Sequence, residues 1–340
     1  MSATIATMKG GKTEISDEVL EAFAATLRGA LLTPGATGYD EARTLWNAMI
    51  DRKPGLVVKC AGQADVARAV KFAAEHQLLT AIRGAGHNIA GKGVCDDGLL
   101  IDLSGMRAVQ VDAASKRVRV QPGATLGDLD DETQAYGLAV PVGINSTTGI
   151  AGLTLGGGFG WLSRKYGLTV DSLRSAELVT AEGKIVTASE TQNPDLFWGL
   201  RGGGGNFGVV TSFEFDAYEV GPEILSGLII HPAADGPKMM REYQAFAAQM
   251  SDDLNVWAVL RKAPPLPFLA PEVHGTDVVI FACFYAGKMA DGERELKPFR
   301  ELGNPIADVV GPHPFAGWQQ AFDPLLTPGV RNYWKSHNFT

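Results

Sequence analysis

An α+β protein in two parts is predicted, and three observations carry the prediction. A β-α-β unit begins near residue 55, three glycine-dense segments each lie beside a strand between residues 84 and 208, and near residue 216 the pattern changes to strands alternating with amphipathic helices. At about 100 to 200 residues per domain, a chain of 340 residues is expected to hold two domains and to bury a substantial core.

Taken in order, residues 14 to 50 read as helical at both ends around the turn "TPGATGYD". "GLVVKC" (55 to 60) is a short buried strand. "ADVARAVKFAAEHQ" places Val66, Ala69, Val70 and Ala73 at helical spacing, and the strand "LLTAI" completes the unit. A glycine loop leads to the strand "GLLIDLS" and the hairpin "AVQVDAASKRVRVQP". Thr125, with Asp128 three residues on, has the spacing of a capping box and opens a helix. Residues 139 to 160, "AVPVGINSTTGIAGLTLGGGFG", are too glycine-rich and aperiodic for either regular element. "SLRSAELVTAEGKIVTAS" is a hairpin turning at Glu182 and Gly183, Asn193 and Pro194 begin a short helix, and Val209 to Phe215 alternate as a strand. Beyond 216 the expected order is a strand at "EILSGLIIH", a helix (235 to 250), strands (255 to 261 and 277 to 285), a helix (291 to 302) and a strand (305 to 310), with proline-rich loops such as "KAPPLPFLAP".

The formal net charge is -8, and lysine and arginine never run beyond a pair. That balance argues against nucleic-acid and membrane-surface partners. Neither a signal-like leader nor an apolar run of about 18 residues is visible, so a cytoplasmic protein is expected. Cys60, Cys95 and Cys283 are odd in number and widely spaced, which points to reduced structural thiols and to no metal site.

Two familiar phosphate motifs fail on context. "KGGKT" (9 to 13) ends like a Walker sequence, but the required first glycine is Ala6 and no strand precedes it, so a disordered N-terminus is the expectation. "GGGNFG" (203 to 208) fits GxGxxG, yet a helix precedes it and a strand follows, the reverse of the Rossmann order. What remains are the glycine-dense loops at 84 to 93, 143 to 160 and 202 to 208. Three such loops suggest a long dinucleotide held along its diphosphate by main-chain donors, with Arg83 able to help if it turns inward rather than forming a surface ion pair. His87 stands in the middle of "RGAGHN". A neutral imidazole in a loop gripping a dinucleotide can act as a nucleophile, and the methyl group at the benzenoid edge of an oxidised flavin is an acidic carbon suited to it. A purely hydrogen-bonding histidine is the alternative.

The stretches "YDEARTLWNAMIDRKPGLVVKC", "RGAGHNIAG", "IDLSGM", "VPVGINSTTGIAGLTLGGGFGWLSRKYGLTVDSLRSAELVTAEGKIVTAS" and "NPDLFWGLRGGGGNFGVVTSFEF" together resemble the FAD-linked oxidases of the berberine-bridge-enzyme-like group, in the vanillyl-alcohol-oxidase and para-cresol-methylhydroxylase (PCMH) superfamily. The likeness is dense from 39 to 216 and looser beyond, although "NYWKSHNFT" also fits. It implies a two-subdomain PCMH-type FAD-binding domain over residues 1–216, with its core at 50–216. A truncated antiparallel-sheet substrate domain over 217–340 would follow, since the family continues past this point.

Carried over by residue, the resemblance implies a covalent bond from His87 to the flavin methyl and a pyrophosphate loop of Arg83, Gly84, Ala85, Gly86, His87 and Asn88. Ser104 and Met106 would contact the cofactor. Gly143, Thr147, Thr148, Gly149 and Gly152 would run under the diphosphate and ring, and Ile185 and Val210 would lie near the adenosine half. Many relatives add a cysteinyl link to the flavin, but the aligned residue here is Asn145, so one covalent bond is expected. The implied activity is oxidation of an alcohol of a carbohydrate or secondary metabolite by hydride transfer to FAD, with dioxygen as acceptor. Tyr333 is the candidate base, with Lys335, His337 and Tyr166 as alternatives. A flavin-binding protein without turnover is the competing expectation.

Overall fold

The computed structural model of the chain describes residues 2–337. Its β-α-β unit consists of Leu56–Lys59, the helix Gln63–Glu75 and Thr80–Arg83. The two strands do not pair with each other. Both pair in parallel with Leu99–Asp102, which lies between them, and Ala30–Leu32 joins Leu56–Lys59 antiparallel on the outer side. Leu99–Asp102 is buried along its whole length, as a central parallel strand covered on both faces must be. Val66, Ala69, Phe72 and Ala73 form the buried stripe of the helix, and Phe72 stacks on Phe23 of the helix Asp17–Thr26 with ring centroids 4.0 Å apart.

A second sheet is antiparallel, in the order Ile185–Ser189, Leu173–Val179, Val209–Asp216, Arg117–Val120, Val109–Asp112. Thr125 closes the expected capping box with Asp128, and the helix Leu126–Gln134 lays Leu126 and Leu129 into a core with Val118, Val120, Phe213 and Phe215. Val179 and Val209 belong to the core of the first sheet, and Gln63 Nε2 donates to Thr211 Oγ1 at 2.9 Å, so the two sheets are joined through the helix that follows Lys59.

The third sheet centres on Asp277–Tyr285, flanked by Leu254–Lys262 and Glu223–Pro232, all antiparallel. Its one face is covered by Met239 of the helix Gly236–Ala247 and by Leu296 and Phe299 of the helix Met289–Arg300. On the other face, Phe284 and Trp257 pack with Trp161, Trp318 and Phe322. Among the described residues no helix is long and apolar enough to cross a membrane.

Four local expectations are corrected. The N-terminus is not disordered: Ser2–Ala6 and Lys12–Ser16 form a hairpin with "KGGKT" at its turn, because Ile5 and Ile15 plug into the first core and Ala6 N–H and Met8 N–H bond to the carbonyls of Asp97 and Gln77. Residues 14 to 50 hold a strand, Ala30–Leu32, and only a five-residue second helix, Tyr39–Arg43. Gly29 lies so close to Lys59 that a Cβ would fall 1.8 Å from its carbonyl oxygen, and the chain is thereby drawn into strand pairing. The aperiodic stretch 139 to 160 contains the helix Ile150–Leu155, too short to show a period. The strand expected at 305 to 310 is instead two short pieces, Ala307–Asp308 and Gly311–Pro314, both paired with Glu223–Pro232. The three cysteines are free and buried, and burial pushes the Cys95 thiol up to about 11.

Asp65, wholly buried, ties the edge of the first sheet. Its Oδ1 accepts from Arg28 N–H and Arg68, and its Oδ2 from Gly29 N–H and Ala61 N–H, all at 2.9 to 3.2 Å. Burial alone would raise this carboxyl, but the backbone donors outweigh it and hold the pKa below the ordinary value. Asp65→Asn turns a donor toward two donors and is expected to cost about 3 kcal/mol at neutral pH in urea unfolding. Because the native pKa is the lower one, the advantage of the wild type is complete above the unfolded carboxylate value. It should shrink as pH falls through the native value.

Candidate functional site

Strand Thr80–Arg83 of the first sheet and Val209 and Val210 of the second face a cleft of about 680 Å³. Residues from the segments 84 to 88, 148 to 156 and 204 to 208 line most of the remainder, which brings all three glycine-dense loops together. Two of the loops touch. A Cβ on Gly149 would lie 2.8 Å from Ala85 Cβ and 2.9 Å from Ala85 N, so only glycine allows that approach, and Gly86 turns the bend at φ +78°. Among the described residues the N–H groups of Ala85, Gly86, His87 and Asn88 donate to nothing else. Successive free amides at a tight bend favour an anionic ligand such as a diphosphate. The residues therefore fit a dinucleotide held by backbone.

His87 is partly buried in this wall. Its ring stacks on Trp46 with centroids 5.1 Å apart and planes 26° from parallel, and its Nε2 lies 3.0 Å from Thr147 Oγ1. Burial pulls its pKa from 6.5 down to about 4, and a hydrogen bond with the Thr147 backbone and the Asp323 carboxylate offset this only in part. At neutral pH the imidazole is uncharged and carries a free lone pair on one nitrogen. Asp323 also accepts from Ser146 N–H and Oγ, so the segment after the helix Phe315–Gln320 is pinned beside the site.

The other residues singled out from sequence divide into two groups. Arg83, Gly84, Ala85, Gly86, Asn88, Thr148, Gly149, Gly152 and Val210 line the cleft, although the Arg83 guanidinium turns away, donating to Ala42 O with Asp102 4.0 Å off, and its Nε is buried without a partner. Arg83 is thus held inside the fold and not in a surface pair. Ser104, Met106, Gly143 and Ile185 do not line it. Ser104 bonds to Asp102, Met106 is in the first core, Gly143 gives its carbonyl to Gln319, and Ile185 is 54% exposed on the outer strand of the second sheet. Tyr333 is 74% exposed, but its neighbours reach the site's rim: Asn332 exchanges hydrogen bonds with Asn47, and Trp334 packs edge-on to Trp46. Lys335 and His337 are exposed, and the last three residues of "NYWKSHNFT" fall outside those described. Tyr166 is spent in packing, stacked on Tyr218 at 3.9 Å. Trp46 carries no sequence signal of its role, since an aromatic residue 41 positions before His87 gives no local sign of contact. Gly204, Gly205, Asn206 and Gly208, from the third glycine-dense loop, line the cleft as well, although their GxGxxG does not stand between a strand and a helix in the Rossmann order.

Residues 54–189 match the family model described as "FAD binding domain". An (R)-6-hydroxynicotine oxidase of Paenarthrobacter nicotinovorans is 32% identical over 285 residues, 84% of this chain and 61% of the relative. An FAD-linked oxidoreductase of Dictyostelium discoideum is 33% identical over 326 residues, 96% of this chain and 68% of the relative. A solved xylooligosaccharide oxidase of Myceliophthora thermophila superposes with a TM-score of 0.76 at 28% identity, covering 90% of this chain and 63% of that one. The chain spans between 61% and 68% of the length of these curated relatives.

The partly buried, neutral His87 has a measurable consequence. In flavin-free protein its ring should stay uncharged from pH 8 to about 5 and titrate near 4, while solvated histidines titrate near 6.5, as followed by NMR of the imidazole carbons. Since the native value is the lower, the native state binds fewer protons between about 4 and 6.5. Its contribution to stability is whole above that window and falls as pH drops through it. A ring that titrates near 6.5 would mean His87 is solvated.

Proposed function

Because the chain belongs to the FAD-linked oxidoreductases of the berberine-bridge-enzyme-like group, in the vanillyl-alcohol-oxidase and PCMH superfamily, we propose that it holds FAD in the cleft between its first two sheets, attached through His87, and oxidises an alcohol carbon of a carbohydrate or secondary metabolite. The observation that supports this most strongly is the desolvated, neutral His87 in the wall of a cleft lined by free backbone amides. Residues 1–216 would form the cofactor domain. Residues 217–340 would supply the sheet that covers the ring.

In this reading the amides of residues 85 to 88 hold the diphosphate, and Gly149 and Gly152 let the chain approach it without side chains between. Val210, in the cleft lining, would lie near the adenosine half. FAD, held by these residues, would supply an electron-pair acceptor both for attachment to His87 and for the substrate hydride, with dioxygen as the proposed terminal acceptor. The chain's own task at His87 is to present an unprotonated nitrogen, which burial accomplishes at neutral pH. Asn145, in place of the cysteine of many relatives, has no thiol to offer, so a single link is proposed. Tyr333 is the proposed base for the substrate hydroxyl, supported by its neighbours' contacts with Trp46 and Asn47 beside His87. The xylooligosaccharide oxidase supports an alcohol substrate, whereas the nicotine oxidase, named for an amine, supports oxidation beside nitrogen.

Two measurements test the proposal. After acid precipitation the yellow colour should stay with the protein pellet, and in His87→Ala it should move to the supernatant; release from the wild type would refute the covalent link. Under argon, a panel of oligosaccharides, aromatic alcohols and cyclic amines should include members that bleach the flavin absorbance. Bleaching by amines alone would overturn the alcohol assignment, and no bleaching at all would favour a binding protein without turnover.

A further inference from the structure

Which imidazole nitrogen of His87 is free is decided by a short chain of hydrogen bonds. Asn145, 7% exposed, accepts at Oδ1 from the backbone N–H of Thr147 at 3.1 Å, and its Nδ2 points to the Leu326 carbonyl at 3.4 Å. A backbone N–H can only donate, so the atom it meets must be the amide oxygen, and the orientation of the amide is fixed. Thr147 Oγ1 lies 2.6 Å from that same oxygen. An amide oxygen can only accept, so the single hydroxyl proton of Thr147 is committed to Asn145. What Thr147 Oγ1 turns toward His87 Nε2, 3.0 Å away, is therefore a lone pair, and Nε2 must carry the ring proton.

We propose that Asn145 and Thr147 are positioning residues that lock His87 as its Nε2–H tautomer, leaving Nδ1 as the nitrogen with a free lone pair. Trp46 fixes the remaining freedom: stacked on one face of the ring, it restrains the plane in which Thr147 sets the direction. Burial keeps a second proton off the ring at neutral pH, so Nδ1 stays bare. An imidazole free in water exchanges its proton between both nitrogens, and the relay removes that exchange. The inference gives Asn145 a role in which its amide, and not a missing thiol, matters. Its significance for cofactor attachment rests on the proposed bond between His87 and FAD, but the tautomer itself is a property of the flavin-free chain.

The test uses the full chain made without flavin in a riboflavin-starved host, with nitrogen-15-labelled histidine. Long-range proton–nitrogen correlation should show His87 as one tautomer protonated at Nε2. Thr147→Val keeps the shape, removes the hydroxyl and should give a mixture of both tautomers, whereas Thr147→Ser should restore the wild-type pattern. When FAD is then added, the valine variant should build acid-stable flavin about twofold more slowly, as an even mixture halves the fraction of the reactive tautomer, and the serine variant at the wild-type rate. A wild-type ring protonated at Nδ1, or a valine variant with an unchanged tautomer, overturns the relay. An intact Nε2–H tautomer in a wild type that never retains flavin through acid would sustain the relay and refute the covalent link.

Discussion

The contact between Gly149 and Ala85 is the constraint on which the site depends. The bend after Thr80–Arg83 and the segment before Ile150–Leu155 approach so closely that no Cβ fits between them at residue 149. Thr147, two residues away, is thereby brought within hydrogen-bond distance of His87, which follows the bend by one residue from Gly86. The free amides, the desolvated imidazole and the relay through Asn145 are consequences of two loops from two different sheets being pressed together. A side chain at 149 would separate them and return water to His87, whose depressed pKa depends on that water being absent.

The third sheet is held to this arrangement by buried polar and aromatic contacts. Trp161 stacks among Trp257, Phe284, Trp318 and Phe322, and Gln319 Nε2 reaches across to Asp130 at 3.1 Å and to the Gly143 carbonyl at 3.3 Å. Asp130 is fully buried, and burial pushes its carboxyl up to about 8 despite the bond from Gln319. It is thus neutral through most of the physiological range and links the helix Leu126–Gln134 to the helix Phe315–Gln320 without the cost of an unpaired buried charge. From there the chain runs on to Asp323 and Leu326, which hold Ser146 and Asn145. The position of the third sheet is in this way transmitted to the partner of His87.

Regular elements with a local signature were legible in the sequence. The stripe of Val66, Ala69 and Ala73, the Thr125–Asp128 cap and the turn at Glu182 and Gly183 each depend on residues within a few positions of one another. The strands Ser2–Ala6 and Ala30–Leu32 were not legible, since each is short and is stabilised by distant partners, Ile5 and Ile15 in the core and Lys59 at the sheet edge. The site followed the same division. Its glycine density and its histidine stood out, but Trp46 and the Asn145 amide act through geometry that spans 41 and 58 positions to His87. The loop at 202 to 208 was legible from its glycine density once its GxGxxG was discounted, because that motif is diagnostic only when a strand precedes it and a helix follows.

The electrostatics of the cleft explain why so little positive charge is needed. Among the described residues Arg83 is the only arginine in its lining, and its guanidinium is turned to Ala42 O and toward Asp102, while Lys92 is the one lysine. Had the arginine faced the cleft, it would have added a cation near an imidazole that must remain uncharged and near any anion bound there. Amide dipoles hold an anion without that long-range field, and they are fixed by the bend and not by a mobile side chain. A chain of net charge -8 can thus favour an anion in this cleft beside an uncharged imidazole, the donors being oriented by the fold before any ligand arrives.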